Sequence, residues 1–403
     1  MSEYQYYEFL AIDRPLSVEQ MRELRSISTR AQITPTRMTN TYSYGDFRGD
    51  PVSLVAEYFD AHVYVANWGS HILMFGFPRQ AIDLDILKQY AVAANSAYVG
   101  GLDVQVHGDR VVVTFGYNDE DGGGGGLDDE EAEGWMPSLV QLRADILQGD
   151  LRAMYLGWLA GATVNALETD DLDPDEDCDA EGFEDEEPIP SATLLEPPVP
   201  PGLGKLTAPL KALAEFLSLS EGVIAAAAEQ SARPGEIRPS AEAVASWVAA
   251  LPPSEKDALL VRVVNGETLI GPELLRRMRA EIGPGAAQDT GSPRRSGLAL
   301  ARAGAGRDAE SERQRKAAEL RTRQEYLDRL ADREDWLWQR VEELVGQKQA
   351  RPYDEAVTLL VDLRDLAERR IQLREFRDRL ATLRQAHKAK VSFLGRLNRA
   401  GLQ

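Results

Sequence analysis

The chain has 403 residues with 45 basic and 66 acidic side chains, which gives a formal net charge of -21. Its one cysteine, Cys178, excludes an internal disulfide and a multi-thiolate zinc site. No apolar run approaches the roughly 20 residues of a membrane-spanning helix, and the first residues lack the pattern of a signal peptide, so we expect a cytoplasmic protein.

The excess negative charge lies in two short segments. Residues 118–134 contain 8 acidic side chains and residues 168–187 contain 13, and neither segment contains Lys or Arg. These 21 carboxylates account for the whole net charge, so the remaining chain is neutral. The two acidic segments have too few apolar residues to bury a core. They predict an acidic glycine-rich linker at 118–134 and an acidic, proline-rich disordered linker at 168–201.

Residues 1–117 predict an α+β domain with a mixed sheet and helices on one face. Ser17 and Gln20 have capping-box spacing, and Asp50-Pro51 is a typical helix start. Two hairpins are predicted, with loops at Gly69-Ser70 and Gly108-Asp109. The predicted order is βαβαββαββ, with strands at 4–12, 33–44, 62–68, 71–77, 102–107 and 110–117 and helices following Ser17, following Asp50 and near 82–90.

The second half of the chain is predicted to be entirely helical. Residues 135–167 form a helical pair, and residues 202–282 form a compact all-α unit with Ser220, Ser240 and Ser254 as caps. Residues 283–306 are predicted as a flexible linker. Inside the all-α unit, helical patterns occupy 206–217, 220–230, 240–251, 254–264 and 272–282.

Residues 307–403 predict a coiled-coil-like helical hairpin of two long helices that ends in a basic segment. Gly346 and Pro352 mark the break between the helices. A coiled-coil dimer, with self-association through residues 311–400, is the alternative. The apolar seam has heptad-like spacing and consists of Leu320, Leu327, Leu330, Leu337, Val341, Leu344, Leu373, Phe376, Leu380 and Leu383.

The motifs nearest to phosphate and calcium sites both fail. Residues 202–207 have Val199 where a P-loop requires its first glycine and Leu206 where it requires Ser or Thr. The alternating carboxylates from Asp171 lack the sixth-position Gly and twelfth-position Glu of a calcium loop. His62 and His71 are predicted at opposite ends of one hairpin, too far apart to bind one metal. We therefore predict no catalytic residue, cofactor or metal.

The C-terminal helices carry the candidate partner-binding residues. Trp336 and Trp338 are two apart on a helix, so they point in different directions and one is expected at the surface. From Arg379 onward the sequence has no acidic residue, so contact with nucleic acid is a weaker expectation. The basic residues proposed for a partner are Arg384, Lys388, Lys390, Arg396 and Arg399.

Several segments resemble a broadly distributed bacterial protein family of unknown function. They include YYEFLAIDRPLS at 6–17, WVAALPPSEKDALL at 247–260 and YDEAVTLLVDLRDLAE at 353–368. The resemblance spans nearly the whole chain and implies no activity and no site residue. It is loosely connected with prokaryotic defence or stress systems, in which such a chain would be a protease substrate or a nucleic-acid-associated effector.

The sequence therefore predicts a non-enzymatic, multi-domain protein that binds another protein and no membrane. The alternative from a different class is an enzyme with a site assembled from dispersed residues of the first domain. The candidate side chains for that site are Arg14, Asp46, Arg48, Asp50 and His62.

Overall fold

The computed structural model describes residues 4–92, 100–118, 129–170, 194–233, 239–282 and 293–402. The chain divides into two compact units, Met1–Asp308 and Ala309–Gln403. The structure of residues 119–128 and 171–193, which hold most of the predicted acidic linkers, lies outside the described residues.

A seven-stranded sheet forms the centre of the first unit, and all pairings among its described strands are antiparallel, so the prediction of a mixed sheet is wrong. The predicted α+β class and order of elements are confirmed, with the extended segment 33–44 divided into two strands. The strands lie in the order β2-β3-β1-β4-β5-β7-β6, with β1 Gln5–Leu10, β2 Gln32–Ile33, β3 Arg37–Tyr42, β4 Ala61–Ala66, β5 His71–Pro78, β6 Gly100–His107 and β7 Arg110–Tyr117.

Helices cover both faces of this sheet, so the prediction of helices on one face is wrong. Consecutive residues of β5 enter different cores: Phe75 packs on one side and Met74 on the other. A strand buried on both faces is apolar at successive positions, as in Leu73–Phe77. The Met74 face packs on α1 (Val18–Ile27) and α2 (Pro51–Glu57), and the Phe75 face packs on α3 (Leu84–Lys88), α4 (Asp129–Leu139), α5 (Gln141–Leu147), α6 (Arg152–Asp170), α7 (Ala208–Phe216) and α8 (Glu221–Ala228).

Local capping chemistry fixes where several helices start. Ser17 and Gln20 form the predicted capping box of α1, and the Asp50 carboxylate accepts from the Val52 and Ser53 amides of α2. Ser220 also caps its helix as predicted. The prediction for Ser254 is wrong, because α10 (Pro253–Val264) begins one residue earlier with proline in its first turn.

The predicted all-α unit is divided between two cores. Helices α7 and α8 pack in the main core of the sheet. Helices α9 (Ala241–Ala250), α10 and α11 (Ile270–Ile282) form a small separate cluster around Trp247, Leu251 and Met278. Arg276 on α11 donates to the Gln80 carbonyl at 2.8 Å, which attaches this cluster to the sheet.

Parts of all three predicted linkers are ordered in the first unit; the end of the 118–134 segment forms the start of α4, where Ala132 is buried in the core. Glu196, in the proline-rich segment, is 1% exposed and forms a two-pronged ion pair with Arg295 at 2.7 and 2.8 Å. The Tyr155 hydroxyl of α6 also donates to Glu196. Directly after Arg295, helix α12 (Gly297–Ala331) begins, so residues 297–306 are helical where a linker was predicted. The buried ion pair holds both segments against α6.

The second unit, over residues 309–402, consists of the end of α12 and four further helices. These are α13 (Glu334–Gly346), α14 (Ala350–Arg369), α15 (Leu373–Ala386) and α16 (Val391–Arg399). The predicted seam residues from Leu337 to Leu383 lie in the core with the exception of Leu373, whereas Leu320 is exposed. The region is helical as predicted, with more breaks than the two-helix hairpin required. No described helix of the chain is long and apolar enough to cross a membrane.

Helix α6 approaches the sheet closely because of two glycines. A Cβ added at Gly161 would lie 2.8 Å from the Gly101 Cα on β6, and one at Gly157 would lie 2.8 Å from the Phe115 ring on β7. Real Cβ atoms almost never come that close. These glycines therefore set the distance between α6 and the sheet.

We expect Gly161→Ala to lower the free energy of unfolding of the first unit by about 1–3 kcal/mol, because the new methyl group overpacks a backbone contact. The matched control is Gly134→Ala on α4, where an added Cβ meets nothing within 4 Å. That change should raise stability by up to about 1 kcal/mol, since alanine favours a helix. Urea unfolding measures both, and equal effects would contradict the close-packing role of Gly161.

Candidate partner-binding site

The antiparallel pairing of α13 and α14 gives the second unit two distinct ends. At one end, Arg370 pairs with Glu334 at 3.2 Å and donates to the Ala331 carbonyl at 3.4 Å. We call this the tryptophan end and define it as residues 331–336 and 370–372. At the other end, Lys390 donates to the Val345 carbonyl at 2.7 Å. We call this the lysine end and define it as residues 347–351 and 387–391.

The two tryptophans of α13 have different environments, as their spacing of two residues requires. Trp338 is 6% exposed, and its ring lies 5.6 Å from the Phe376 ring. The guanidinium group of Arg379 lies over the Trp338 ring, 4.8 Å from its centre. Trp336 is 58% exposed. Trp338 is therefore a core residue, and the prediction that it contacts a partner is wrong because its ring is already packed. Trp336 remains a candidate.

A shallow cleft of about 650 Å³ lies beside Trp336. Its walls combine this indole with charged groups, among them Arg333 and Arg370. The Arg370–Glu334 pair fixes one wall, and Asp335 pairs with Arg379 at 3.2 Å. The cleft thus places one exposed aromatic ring inside a rim of paired and unpaired charges.

Ile371 is the most exposed large apolar side chain at this end. It follows Arg370 in the chain, is 94% exposed, and has a φ of +57°. The helix end explains this backbone shape, since the amides of Ile371 and Gln372 donate to Glu368 and Ala367 as in a Schellman stop. Glycine is the usual residue there, and a β-branched residue at positive φ is an outlier. Packing does not explain isoleucine at this position.

The predicted basic residues are distributed over several local contacts. Arg396 pairs with Asp354 at 2.6 Å, and Arg384 donates to the Leu402 carbonyl and the Asn398 side chain. These two residues connect α14, α15 and α16, so their role within the unit is structural. Lys388 and Arg399 are exposed. Neither of them forms an ion pair with a described residue.

A buried carboxylate that the sequence did not single out holds α12 on α14. Asp362 is 3% exposed, pairs with Arg323 at 2.6 Å and accepts from the Tyr326 hydroxyl at 2.9 Å. Arg323 also pairs with Asp365, and this attraction lowers the pKa of that carboxyl in spite of its partial burial. In the sequence, the one feature that could have indicated this contact is the presence of an acidic residue at a seam-facing position of α14.

The dispersed candidates of the first domain do not converge on one site. Arg14 and Arg48 are exposed, Asp46 accepts from the Gln5 side chain at 3.0 Å, and Asp50 caps α2. His62 is fully buried: its Nδ1 donates to the Glu8 carbonyl at 2.9 Å, and its ring stacks on Phe9 at 4.0 Å. Four of these five side chains therefore lie at the surface, whereas the fifth is inside the core.

The hairpin that carries the histidines has a different register from the predicted one. His62 pairs with Met74 and His71 with Val65. Four residues, 67–70, separate β4 from β5, and the Ala66 amide donates to the Ser70 carbonyl across this loop. The prediction of a Gly69-Ser70 loop is therefore wrong. His62 and His71 lie on opposite faces of the sheet, in separate cores.

A buried charge network that the sequence analysis missed connects the first domain to α5. Asp60 is 2% exposed and lies 2.9 Å from Arg110 and 3.5 Å from Arg143, which also binds Asp13 at 2.6 Å. Burial raises the pKa of Asp60, but the attraction of Arg143 and the amide hydrogen bonds outweigh it and lower this pKa. The network links α5 to the sheet, although the buried Nε of Arg110 has no hydrogen-bond partner among the described residues.

Comparison of the chain with protein-family models, with curated proteins and with solved structures finds no match. Its function must therefore be inferred from the geometry of its own residues.

We expect His62 to make the first unit sensitive to acid. Burial lowers its pKa to about 3, whereas the unfolded imidazole titrates near 6.5, so unfolding takes up a proton below that pH. The stability is fully present above about pH 6.5 and falls toward pH 3. Between pH 7.5 and pH 5 the loss should be about 2 kcal/mol.

The measurement is urea unfolding at both pH values, followed by hydrogen exchange of β1 and β4 peptides, which report the first unit. His62→Phe should remove this part of the pH dependence, while His107→Gln should retain it. An unchanged pH slope in His62→Phe would show that His62 is not the responsible group.

Substitution of the two tryptophans in turn should distinguish the residue that stabilises the unit from the residue that is free to bind a partner. We expect Trp338→Ala to cost about 3–5 kcal/mol, because it empties a buried aromatic site. Trp336→Ala should change stability by no more than about 0.5 kcal/mol, as for other exposed positions. Hydrogen exchange of α13 and α14 peptides measures both. A large loss in Trp336→Ala would mean that this ring supports the fold.

Proposed function

We propose that the chain is a non-enzymatic adaptor whose second unit binds another protein through the tryptophan end. The observation that carries this proposal is the exposure of Trp336 in a cleft that Arg370 also lines, with the exposed Ile371 directly after Arg370 in the chain. Exposed aromatic and aliphatic side chains with arginine at their rim have the composition of binding hot spots.

The conformation of Ile371 supports a role beyond folding. A left-handed backbone costs a residue with a branched Cβ roughly 1–2 kcal/mol relative to glycine. At 94% exposure, Ile371 recovers little of this cost through burial in the free unit. A partner that covers the side chain would bury its apolar surface and offset the cost.

Packing and ion pairs hold the helix that carries Trp336 in a fixed orientation, so its ring stays exposed to a partner. Its neighbours Leu337 and Trp338 are both core residues, so the helix beneath the exposed ring cannot rotate without breaking the seam. Arg370–Glu334 and Arg379–Asp335 fix the adjoining helix ends. A preorganised anchor of this kind loses less entropy when it binds.

The test is photo-crosslinking in the native host, with a photoreactive phenylalanine analogue at position 336 or, as a control, at exposed Leu320 on α12 of the same unit. A protein captured from position 336 is then purified for affinity measurements. We expect Trp336→Ala to weaken binding at least about 30-fold, as for a hot-spot residue, and Leu320→Ala to leave it unchanged.

Ile371→Gly adds a second variant that cannot fail through misfolding, because it relieves the backbone strain. We expect it to stabilise the second unit by up to about 1 kcal/mol and to weaken the same partner. Equal crosslinking from positions 336 and 320, or full affinity in both Trp336→Ala and Ile371→Gly, would refute the proposal.

A further inference from the structure

The lysine end brings positive charges together: the charge of Glu342 on α13 reaches His387, but no described carboxylate forms an ion pair with Lys348 or Lys390. Lys390 donates to the Val345 carbonyl at 2.7 Å, which places its ammonium group at the end of α13, three residues before Lys348. Partial burial and the nearby charge of Lys348 both lower the pKa of Lys390. The two cations therefore repel each other in the free protein, and an anion between them would remove that repulsion.

Further cations extend this surface. Arg351 and Lys388 are exposed, and neither of them forms an ion pair with a described residue. The first turns of α14 and α16 lie together here, since the Tyr353 and Phe393 rings are 5.5 Å apart. The nearest carboxylate across that contact, Asp354, is already paired with Arg396. From Arg379 to the last described residue, the sequence contributes no Asp or Glu.

Lys348 also has an unfavourable backbone conformation for its residue type. Its φ is +55°, in the left-handed region that favours glycine, and its side chain is exposed. Gly346 lies two residues earlier and does not occupy this position. A glycine at 348 would relieve the backbone strain and the repulsion of Lys390 together, so folding alone does not explain the lysine.

We propose that the lysine end binds the phosphate backbone of duplex nucleic acid, independently of sequence. Four cations, Lys348, Arg351, Lys388 and Lys390, spread over one end of the unit and suit a repeating array of phosphates. Among the described residues of the lysine end, Val391 is the exposed large apolar side chain, and no Trp or Tyr is exposed there. The surface therefore lacks the aromatic anchor of a protein interface and the stacking platform of a single-strand site.

The experiment titrates the full chain with a fluorescent 20-base-pair duplex of random sequence at several salt concentrations. With four contacts the slope of log K against log salt should reach about -3.6. We expect Lys348→Gly to make this slope shallower by about 0.9 and to weaken binding about 8-fold at 0.1 M salt, without loss of stability. Lys316→Gln, an exposed lysine of α12, is the matched control and should bind like the parent chain.

Trp336→Ala should also retain duplex binding, which distinguishes this surface from the adaptor site. Absence of salt-dependent binding by the parent chain, or equal losses in Lys348→Gly and Lys316→Gln, would overturn the proposal. So would competition by polyglutamate that equals competition by unlabelled duplex of the same charge, because that result would assign the lysine end to an acidic protein.

Discussion

The antiparallel packing of α13 on α14 is the interaction on which both proposed binding surfaces depend. Leu337, Val341 and Leu344 of α13 share a core with Leu360 and Leu363 of α14. This seam fixes which helix junctions come together at each end of the unit. It also determines that Trp338 points inward and Trp336 outward, because residues two apart on a helix face different directions. If the seam slipped, the exposed ring and the lysine cluster would both be dispersed.

Charge supports this packing at the ends of the helices and is arranged differently at the two surfaces. At the tryptophan end, Arg370 and Arg379 are each paired with a carboxylate, so the apolar side chains lie within a nearly neutral rim. At the lysine end, Asp354 is already paired with Arg396, and Lys348 and Lys390 form no ion pair with a described residue. Neutral rims suit protein partners, whereas unpaired cations suit polyanions. The same scaffold thus presents two chemically different surfaces.

Local sequence signals predicted most of the elements but not which segments pack together. Ser17–Gln20 and Asp50-Pro51 located helix starts because capping depends on neighbouring residues alone. The pair of Glu196 with Arg295 joins residues 99 positions apart, and no local pattern contains it. For the same reason the proline-rich segment and the residues before α12 were predicted as linkers. The apolar runs of the central strands did carry a signal that both faces of the sheet are covered.

In the second unit, sequence preference and structure disagree at positions that coincide with the proposed surfaces. The helix end predicted at Gly346 is confirmed, since α13 ends there, yet the left-handed residue after it is Lys348; the stop at Ile371, which has neither Gly nor Pro beside it, was not predicted. A sequence selected for stability alone would have glycine at such stops. Positions where local preference and structure disagree are expected at functional sites, since selection there acts on binding as well as on folding. At both Lys348 and Ile371, a residue other than glycine occupies a left-handed helix stop. The two residues lie at opposite ends of the α13–α14 hairpin, and each exposes the side chain that its proposed ligand requires.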